Sequence, residues 1–396
     1  MVDRFLMEQH KNWFSLHPIV REIGLQKLAL SPADLQQAHS SVAPYYTRHF
    51  EAKQIVGWGA LGGHFVEARY HLTKAEKAED LRDIASRFQS YIFSTLSASS
   101  PIPHNAEELD ERIAVLSAIL ESPGPKSLEY HLARLFLARN QRNDLRRGLH
   151  HAHRAKSKSD NVQSWLLCSE ILSKMGKHED AIEVLKQGIN QIPPNKALVD
   201  LYDRCARLLT QSGRCNEATW TLNRGIDRIP PDKALVILYD NLARLLAQMQ
   251  RYNEAITILK QGIDRIPPDK ALAVLYISCC ELLVQKERYE ESLAILKQGV
   301  ACVPPSKAAV DVYYRYGELL AQRGQYSDAI AVLKQGIDRI PPNKGVSLIY
   351  AFCSELLFEG GQQEDVNALL KEGIDRVPPD KGVVSIYLNF CNTLVL

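Results

Sequence analysis

Between Arg146 and Lys158 the chain reads RRGLHHAHRAKSK, its densest grouping of side chains able to ligate a metal or grip an anion. His150, His151 and His153 can set two imidazoles on one helical face, the beginning of a zinc-type ligand set, but no cysteine or carboxylate nearby completes it. No metal is therefore expected. The plainer reading of the basic run over 146–158 is a solvated helix face, with nucleic-acid binding as the alternative. GWGALGG at Gly57–Gly63 has the spacing of a dinucleotide-binding loop. No strand precedes it and no acidic residue follows at the distance a βαβ unit needs, so it reads as a helix connection. The sequence contains no GxxxxGK[ST] phosphate cradle, and this chain is not expected to hydrolyse ATP. Cys168, Cys205, Cys279 and Cys353 recur at one inward helical position, with Cys280 and Cys391 beside it, and read as small buried hydrophobes. No serine or cysteine is paired with a histidine and an acid in a nucleophile motif. The chain is read as non-enzymatic and without a cofactor.

The scaffold behind these residues is ordinary in composition: 396 residues, 45% hydrophobic and 24% charged, enough for two or three domains. A net charge of +2 gives no global field favouring nucleic acid or an anionic membrane. No run approaches the roughly 18 apolar residues of a membrane span, and MVDRFLMEQHKNW lacks the basic-then-apolar order of a signal peptide. The expected compartment is the cytoplasm, with no membrane partner. Eight cysteines without a CxxC pair read as reduced thiols.

Self-similarity organises the rest. Glycine recurs at 188, 225, 262, 299, 336 and 373, always 37 residues apart. Proline pairs beginning at 193, 230, 267, 304, 341 and 378 keep the same register, as do tyrosines at 202, 239, 276, 313, 350 and 387, with Trp165 in the tyrosine's place in the first unit. Asp269 to Pro305 serves as the type unit and reads as two helices. Asn195, Asp232, Asp269, Ser306, Asn343 and Asp380 follow the proline pairs and can cap the start of helix A. Apolar residues then recur at helical spacing through Leu272, Leu275, Tyr276, Cys279 and Leu283 until a polar break at Gln285 to Arg288. Helix B turns Leu293, Leu296 and Val300 inward until the double proline removes two amide donors. A glycine inside helix B costs roughly 1 kcal/mol relative to alanine, which predicts a close approach by a neighbouring helix at each of the six.

These positions resemble the tetratricopeptide repeat. In one unit Tyr239, Leu242, Ala243 and Leu246, then Ala255, Leu259, Gly262 and Pro267, fall on the family's small and large positions, and Gly317 restores its usual small residue in another helix A. The unit is three residues longer than the usual 34, and glycine stands where alanine is commoner. The resemblance covers residues 161–382 and implies an all-α fold, a right-handed α-α superhelix of 37-residue units, with 383–396 a final unpaired helix A whose apolar end needs a cover or a continuing array. It also implies that helix A lines a concave groove that takes a protein or peptide ligand. The groove positions are Asp203, Arg204 and Arg207; Asp240, Asn241 and Arg244; Ile277, Ser278 and Glu281; Tyr314, Arg315 and Glu318; and Ala351, Phe352 and Glu355. Arginine gives way to glutamate along this series while helix B repeats almost unchanged, as in KQGIDRIPP at 260–268 and 334–342. Variation on one face of copied units suggests a surface tuned to a ligand; drift at solvated positions is the plainer alternative. A family subclass grips a terminal carboxylate with a lysine at the first groove position. Leu166, Asp203, Asp240, Ile277, Tyr314 and Ala351 stand there instead, which argues for a folded partner or a longer peptide read by mixed charges and aromatics.

The first 160 residues carry a second, shorter resemblance. FSLHPIVREIGLQKL is similar to the end of the winged-helix domain of STAND-type signalling ATPases, and DLQQAHSSVAPYYTRHF to the helix that follows it there. Over 1–30 this predicts a helix, a tight turn at His10 to Asn12, a strand Trp13 to Leu16 and a helix opened by Pro18. It implies the sensor half of such a switch, working with an ATPase domain in cis or trans. Helical pieces continue over 31–125, including 64–92, and a degenerate helix pair over 126–160 is expected to cap the array. The functional expectation is a protein-interaction module, as a ligand sensor or, alternatively, as a constitutive assembly scaffold.

Overall fold

The proline pairs dictate where each repeated unit ends. Proline disfavours helical backbone in the residue before it. Ile229, Ile266, Val303, Ile340 and Val377 all leave the helix for an extended conformation at that point and bury their side chains. A computed structural model describes residues 7–10, 13–16, 32–51, 68–84, 102–120, 126–141, 143–156, 162–343 and 345–377. They fall into two compact units, 1–181 and 182–396.

In the first unit, β1 (Met7–His10) and β2 (Trp13–Leu16) form an antiparallel hairpin with Met7 opposite Leu16 and His10 opposite Trp13. The strand over Trp13–Leu16 was expected; residues 7–10 are its partner strand and not the expected helix. A four-residue strand gains its hydrogen bonds only from a partner, and Met7–His10 pairs antiparallel with Trp13–Leu16 to supply them; the turn expected between them lies outside the described residues. Helices α1 (Pro32–Glu51), α2 (Ala106–Ile119), α3 (Lys126–Arg139), α4 (Asp144–Ala155) and α5 (Val162–Lys174) follow, with helical segments at 68–74 and 78–84. Ala43, Ala68, Leu72, Ile84, Leu109, Ile113, Leu116, Leu128, Leu132 and Phe136 share one core. The helix expected from Pro18, the GWGALGG segment, the proline pair at 378, the cap at Asp380 and the final helix at 383–396 lie outside the described residues.

After α6 (His178–Gln191), the second unit alternates A and B helices. The A helices are α7 (Leu198–Gln211), α9 (Val236–Gln248), α11 (Leu272–Gln285), α13 (Lys307–Gln322) and α15 (Val346–Glu359). The B helices are α8 (Cys215–Arg228), α10 (Tyr252–Arg265), α12 (Tyr289–Cys302), α14 (Tyr326–Arg339) and α16 (Gln363–Arg376). Each packs on the next, and each A helix also touches the A helix of the following repeat.

Helix A begins later than the caps suggest. Asn195, Asp232, Asp269 and Asn343 accept a hydrogen bond from the amide two residues on, at 2.8–2.9 Å, closing a side-chain turn. Regular α-helix starts only at Leu198, Val236, Leu272 and Val346. Ser306 departs from the expectation: it makes no cap hydrogen bond, and its buried hydroxyl has no partner among the described residues.

The turn between helices A and B requires left-handed backbone, again every 37 residues. Gly176, Gly213, Gly324 and Gly361 have φ of 73–76°, while Gln250 and Glu287 take φ of 63° and 57° in the same slot. The next amide reaches back across the turn, as from Arg214 to Leu209 O at 2.8 Å and from Arg251 to Leu246 O at 2.8 Å, satisfying carbonyls the ending helix leaves free.

The helix B glycines are where the two helices meet. Tyr202, Tyr239, Tyr276 and Tyr313 are buried against Gly225, Gly262, Gly299 and Gly336 of the same repeat. A Cβ on Gly262 would lie 2.8 Å from Tyr239 Cγ and 2.9 Å from Leu275 Cδ1 of the following A helix. The expected close approach is therefore present at these four positions, and it explains glycine in place of alanine. A further link joins successive B helices. Arg265 Nη2 donates to Ile229 O at 3.1 Å, Arg228 to Ile189 O and Ile192 O, and Arg339 to Val300 O and Ala301 O. These guanidinium groups satisfy the free carbonyls at the negative end of the preceding helix. Cys302 stands where this arginine is due in the α12 repeat.

Candidate partner-binding face

A stripe on a helix takes residues i, i+4, i+7 and i+11. On α9 these are Ile237, Asn241, Arg244 and Gln248, and solvent reaches all four. Corresponding stripes are Asp200, Arg204, Arg207 and Gln211 on α7; Val274, Ser278, Glu281 and Gln285 on α11; Asp311, Arg315, Glu318 and Gln322 on α13; and Leu348, Phe352, Glu355 and Glu359 on α15. Because the A helices contact one another directly, five stripes lie side by side. Ile237, Val274 and Leu348 keep 42–53% of their surface exposed, an apolar edge on the same face.

Asp203 and Asp240, expected as ligand contacts, are instead buried at the seam between neighbouring A helices, where the adjoining helix covers them. Asp203 pairs with Arg207 on its own helix and accepts from Asn241 Nδ2 across the seam at 2.6 Å. Asp240 repeats the pattern, with Arg244 Nε at 2.9 Å and Ser278 Oγ at 2.7 Å. These carboxylates fix the two arginines, whose side chains remain 61% and 69% exposed, and neutralise them. Ile277 breaks the series. Beyond it Arg315 bridges Glu318 at 2.8 Å and Glu281 at 3.5 Å. Tyr314 and Phe352 then pack together, their rings tilted at 44° with centroids 5.2 Å apart. Burial and the nearby Glu359 hold the Glu355 carboxyl above its usual range, and burial with Glu318 and Glu355 does the same for the Tyr314 phenol. The arginine-to-glutamate change is therefore a passage from neutral, ion-paired rungs on α7 and α9 to an acidic, aromatic end on α15.

A depression of about 460 Å³ opens between α9 and α11, lined by Arg244, Gln248, Ser278, Glu281 and Gln285 of the stripes and by Tyr252. A smaller one, about 330 Å³, lies between α3 and α5 with Tyr130, Arg134, Leu166, Glu170 and Lys174 around it. Sequence reasoning stopped at three groove positions per helix and missed the row at the helix A ends, Gln211, Gln248, Gln285 and Gln322; its signal was the same interval of 37.

The basic run is largely committed within its own unit. Buried Glu129 holds His151 Nδ1 at 2.6 Å and Arg154 at 2.8 Å, Arg147 lies over the Phe136 ring at 4.5 Å, and Lys156 over Trp165 at 4.6 Å. Arg146, Arg147, His150 and His153 on this helix remain exposed. One side of this helix is thus used in packing while the other faces solvent, as a solvated helix face does. Among the described residues no three histidine, cysteine or acidic side chains are grouped to hold a metal, and no helix is long and apolar enough to cross a membrane. Burial pushes the Cys168 and Cys279 thiols to about 12 and those of Cys205 and Cys353 to about 11, so they are protonated at neutral pH and poor nucleophiles.

Tetratricopeptide repeat family models match residues 162–195, 238–271 and 310–343. No curated protein sequence matches the chain. Among solved structures it is similar to a tetratricopeptide repeat protein from Parabacteroides merdae, at 15% identity and a TM-score of 0.31 over 68% of this chain and 98% of that one. It is also similar to a thermophilic repeat protein of the same type in Thermus thermophilus, at 20% identity and 0.29 over 50% and 100%. A third is YrrB, described as a repeat protein with an unusual peptide-binding site, at 15% identity and 0.31 over 48% and 91%. The family models cover three of the 37-residue units, and the periodicity links these to the units between them.

Proposed function

Taking residues 162–343 as tetratricopeptide repeats, a non-catalytic interaction fold, we propose that the side-by-side A-helix stripes are the docking face for a protein or peptide partner. The observation that carries this reading is the contrast between helix B, copied almost unchanged, and the stripes, which differ at solvent-exposed positions while Asp203 and Asp240 hold Arg207 and Arg244 in place. A docking surface gains specificity from such a pattern of fixed charges and exposed apolar residues. In this reading Arg204, Arg207, Asn241, Arg244, Ile277, Ser278 and Glu281 serve one part of the face, and Tyr314, Arg315, Glu318, Phe352 and Glu355 the other. Asp203 and Asp240 act as positioning residues. The test is the double variant Arg207→Glu, Arg244→Glu, checked for unchanged helicity. Loss of the co-purifying partner is expected, and full retention counts against the face.

We further infer that the chain is the cytoplasmic sensor portion of a STAND-like switch, working with a nucleotide-binding domain in cis or trans. Its support is the segment FSLHPIVREIGLQKL and the hairpin of β1 and β2, the form a wing takes. A P-loop ATPase in the same reading frame or an adjacent gene is expected; its absence from both counts against the sensor reading.

A further inference from the structure

Charge is balanced at one end of the A-helix face and left over at the other. On α7 and α9, Asp203 and Asp240 are taken up by Arg207 and Arg244. On the stripes of α13 and α15, Asp311, Glu318, Glu355 and Glu359 stand against the one cation Arg315, which Glu318 and Glu281 already hold. Glu355 and Glu359, one helical turn apart and both exposed, meet no cation among the described residues and repel each other. The seam changes character at the same place. Asp203 with Asn241 and Asp240 with Ser278 make it polar further along, but here it is formed by the rings of Tyr314 and Phe352, which solvent reaches. Leu348, 53% exposed and one turn before Phe352, extends the apolar surface.

We propose that this end of the face seats a basic side chain, lysine or arginine, of a protein partner, its cationic head over the Tyr314 and Phe352 rings and paired with the carboxylates of Glu355 and Glu359. This rests on the A-helix face being the docking face, and it names the chemistry of the residue that face takes. Each part of the site suits such a group. Aromatic ring faces are electronegative and attract a cation. Carboxylates one turn apart, repelling each other in the free chain, gain a shared counter-charge and a charge-assisted hydrogen bond. The long methylene stem of lysine or arginine covers an apolar side chain such as Leu348 while its head stays polar. The surplus carboxylates also disfavour an acidic segment, which gives the site discrimination as well as affinity.

The experiment selects a displayed library of random twelve-residue peptides on the purified full chain. Enriched peptides are remade with each arginine replaced by citrulline and each lysine by norleucine, removing the charge and keeping the length. Affinities are measured for the wild type, for Glu355→Gln with Glu359→Gln, for Phe352→Leu, and for Arg207→Glu with Arg244→Glu. Glutamine and leucine are good helix formers of similar bulk, so the first two variants keep the fold, checked by their helicity. Basic peptides are expected, with one basic residue whose neutral replacement weakens binding about 10-fold in the wild type but no more than about 2-fold in the glutamine pair. Phe352→Leu keeps the apolar contact, removes the ring, and should weaken the same peptides about 3-fold. Enrichment of neutral or acidic peptides alone, or of none, would overturn the proposal, as would a basic residue whose effect is equal in the wild type and the glutamine pair. Should those peptides still lose binding in Arg207→Glu with Arg244→Glu, the docking face stands without its basic subsite; indifference to every variant removes both. Self-association of the chain that is lost in the glutamine pair, with no peptide enriched, would give this end to a second copy and overturn the proposal.

Discussion

Gly262→Ala tests the packing on which the stacked stripes depend. An ordinary carbon contact is about 3.5–4.0 Å. The added methyl would sit 2.8 Å from Tyr239 Cγ, and Cγ is a single bond from the Cβ it hangs on, so it cannot swing aside unless α9 itself moves. Overpacking of this kind costs about 1–3 kcal/mol, while replacing a helical glycine by alanine returns about 1 kcal/mol of propensity. The net expectation is destabilisation by roughly 1 kcal/mol, read in urea melts followed by far-ultraviolet circular dichroism. The Tyr239→Ala background supplies the control. There only the flexible end of Leu275 opposes the methyl, and the same Gly262→Ala change should stabilise by up to about 1 kcal/mol. A stabilising effect in the wild type, or equal effects in both backgrounds, would refute the tyrosine-glycine contact.

Gln250→Gly and Glu287→Gly should each stabilise by about 0.5–1 kcal/mol in the same melts, and Gly213→Ala should destabilise by about 1, because the three share a left-handed slot. Cys302→Arg should restore the missing link to the end of α10 and raise stability by about 1 kcal/mol, with slower hydrogen exchange at that helix end. Burial holds His131 neutral, its pKa lowered to about 4 with both ring nitrogens unpartnered among the described residues. The unfolded chain binds this proton below about 6.5 and the folded chain only below about 4, so stability falls as pH drops through that window, by about 3 kcal/mol in all. His131→Leu should lose this component, seen as a flatter stability curve from about pH 6.5 to 4 than the wild type's.

Periodicity made the repeats legible because two prolines, one tyrosine and one glycine per unit each leave a physical mark: a stop, a buried ring and a close crossing. The left-handed slot was harder to see. Glycine fills it at 176, 213, 324 and 361, but Gln250 and Glu287 interrupt the row, and a non-glycine residue gives no sign of positive φ. The face was half legible. Spacing put Arg207, Arg244, Glu281 and Phe352 on exposed stripes, but a one-residue step along helix A separates stripe from seam, and only packing reveals that Asp203 and Asp240 fall on the covered side. The packed side of the basic run was hidden for a related reason. Its partners, Glu129 and Phe136, are close by in sequence yet reach it only once α3 and α4 fold together.

Site-specific photo-crosslinking addresses the central claim most directly. A benzophenone amino acid is placed in turn at Arg244, Glu281 and Gln285 on the A stripes, and at Gln261 and Gln298 on the exposed side of helix B. A polypeptide partner crosslinked in cells from the three A positions and from neither B position is the predicted result. Crosslinks confined to helix B would contradict the account.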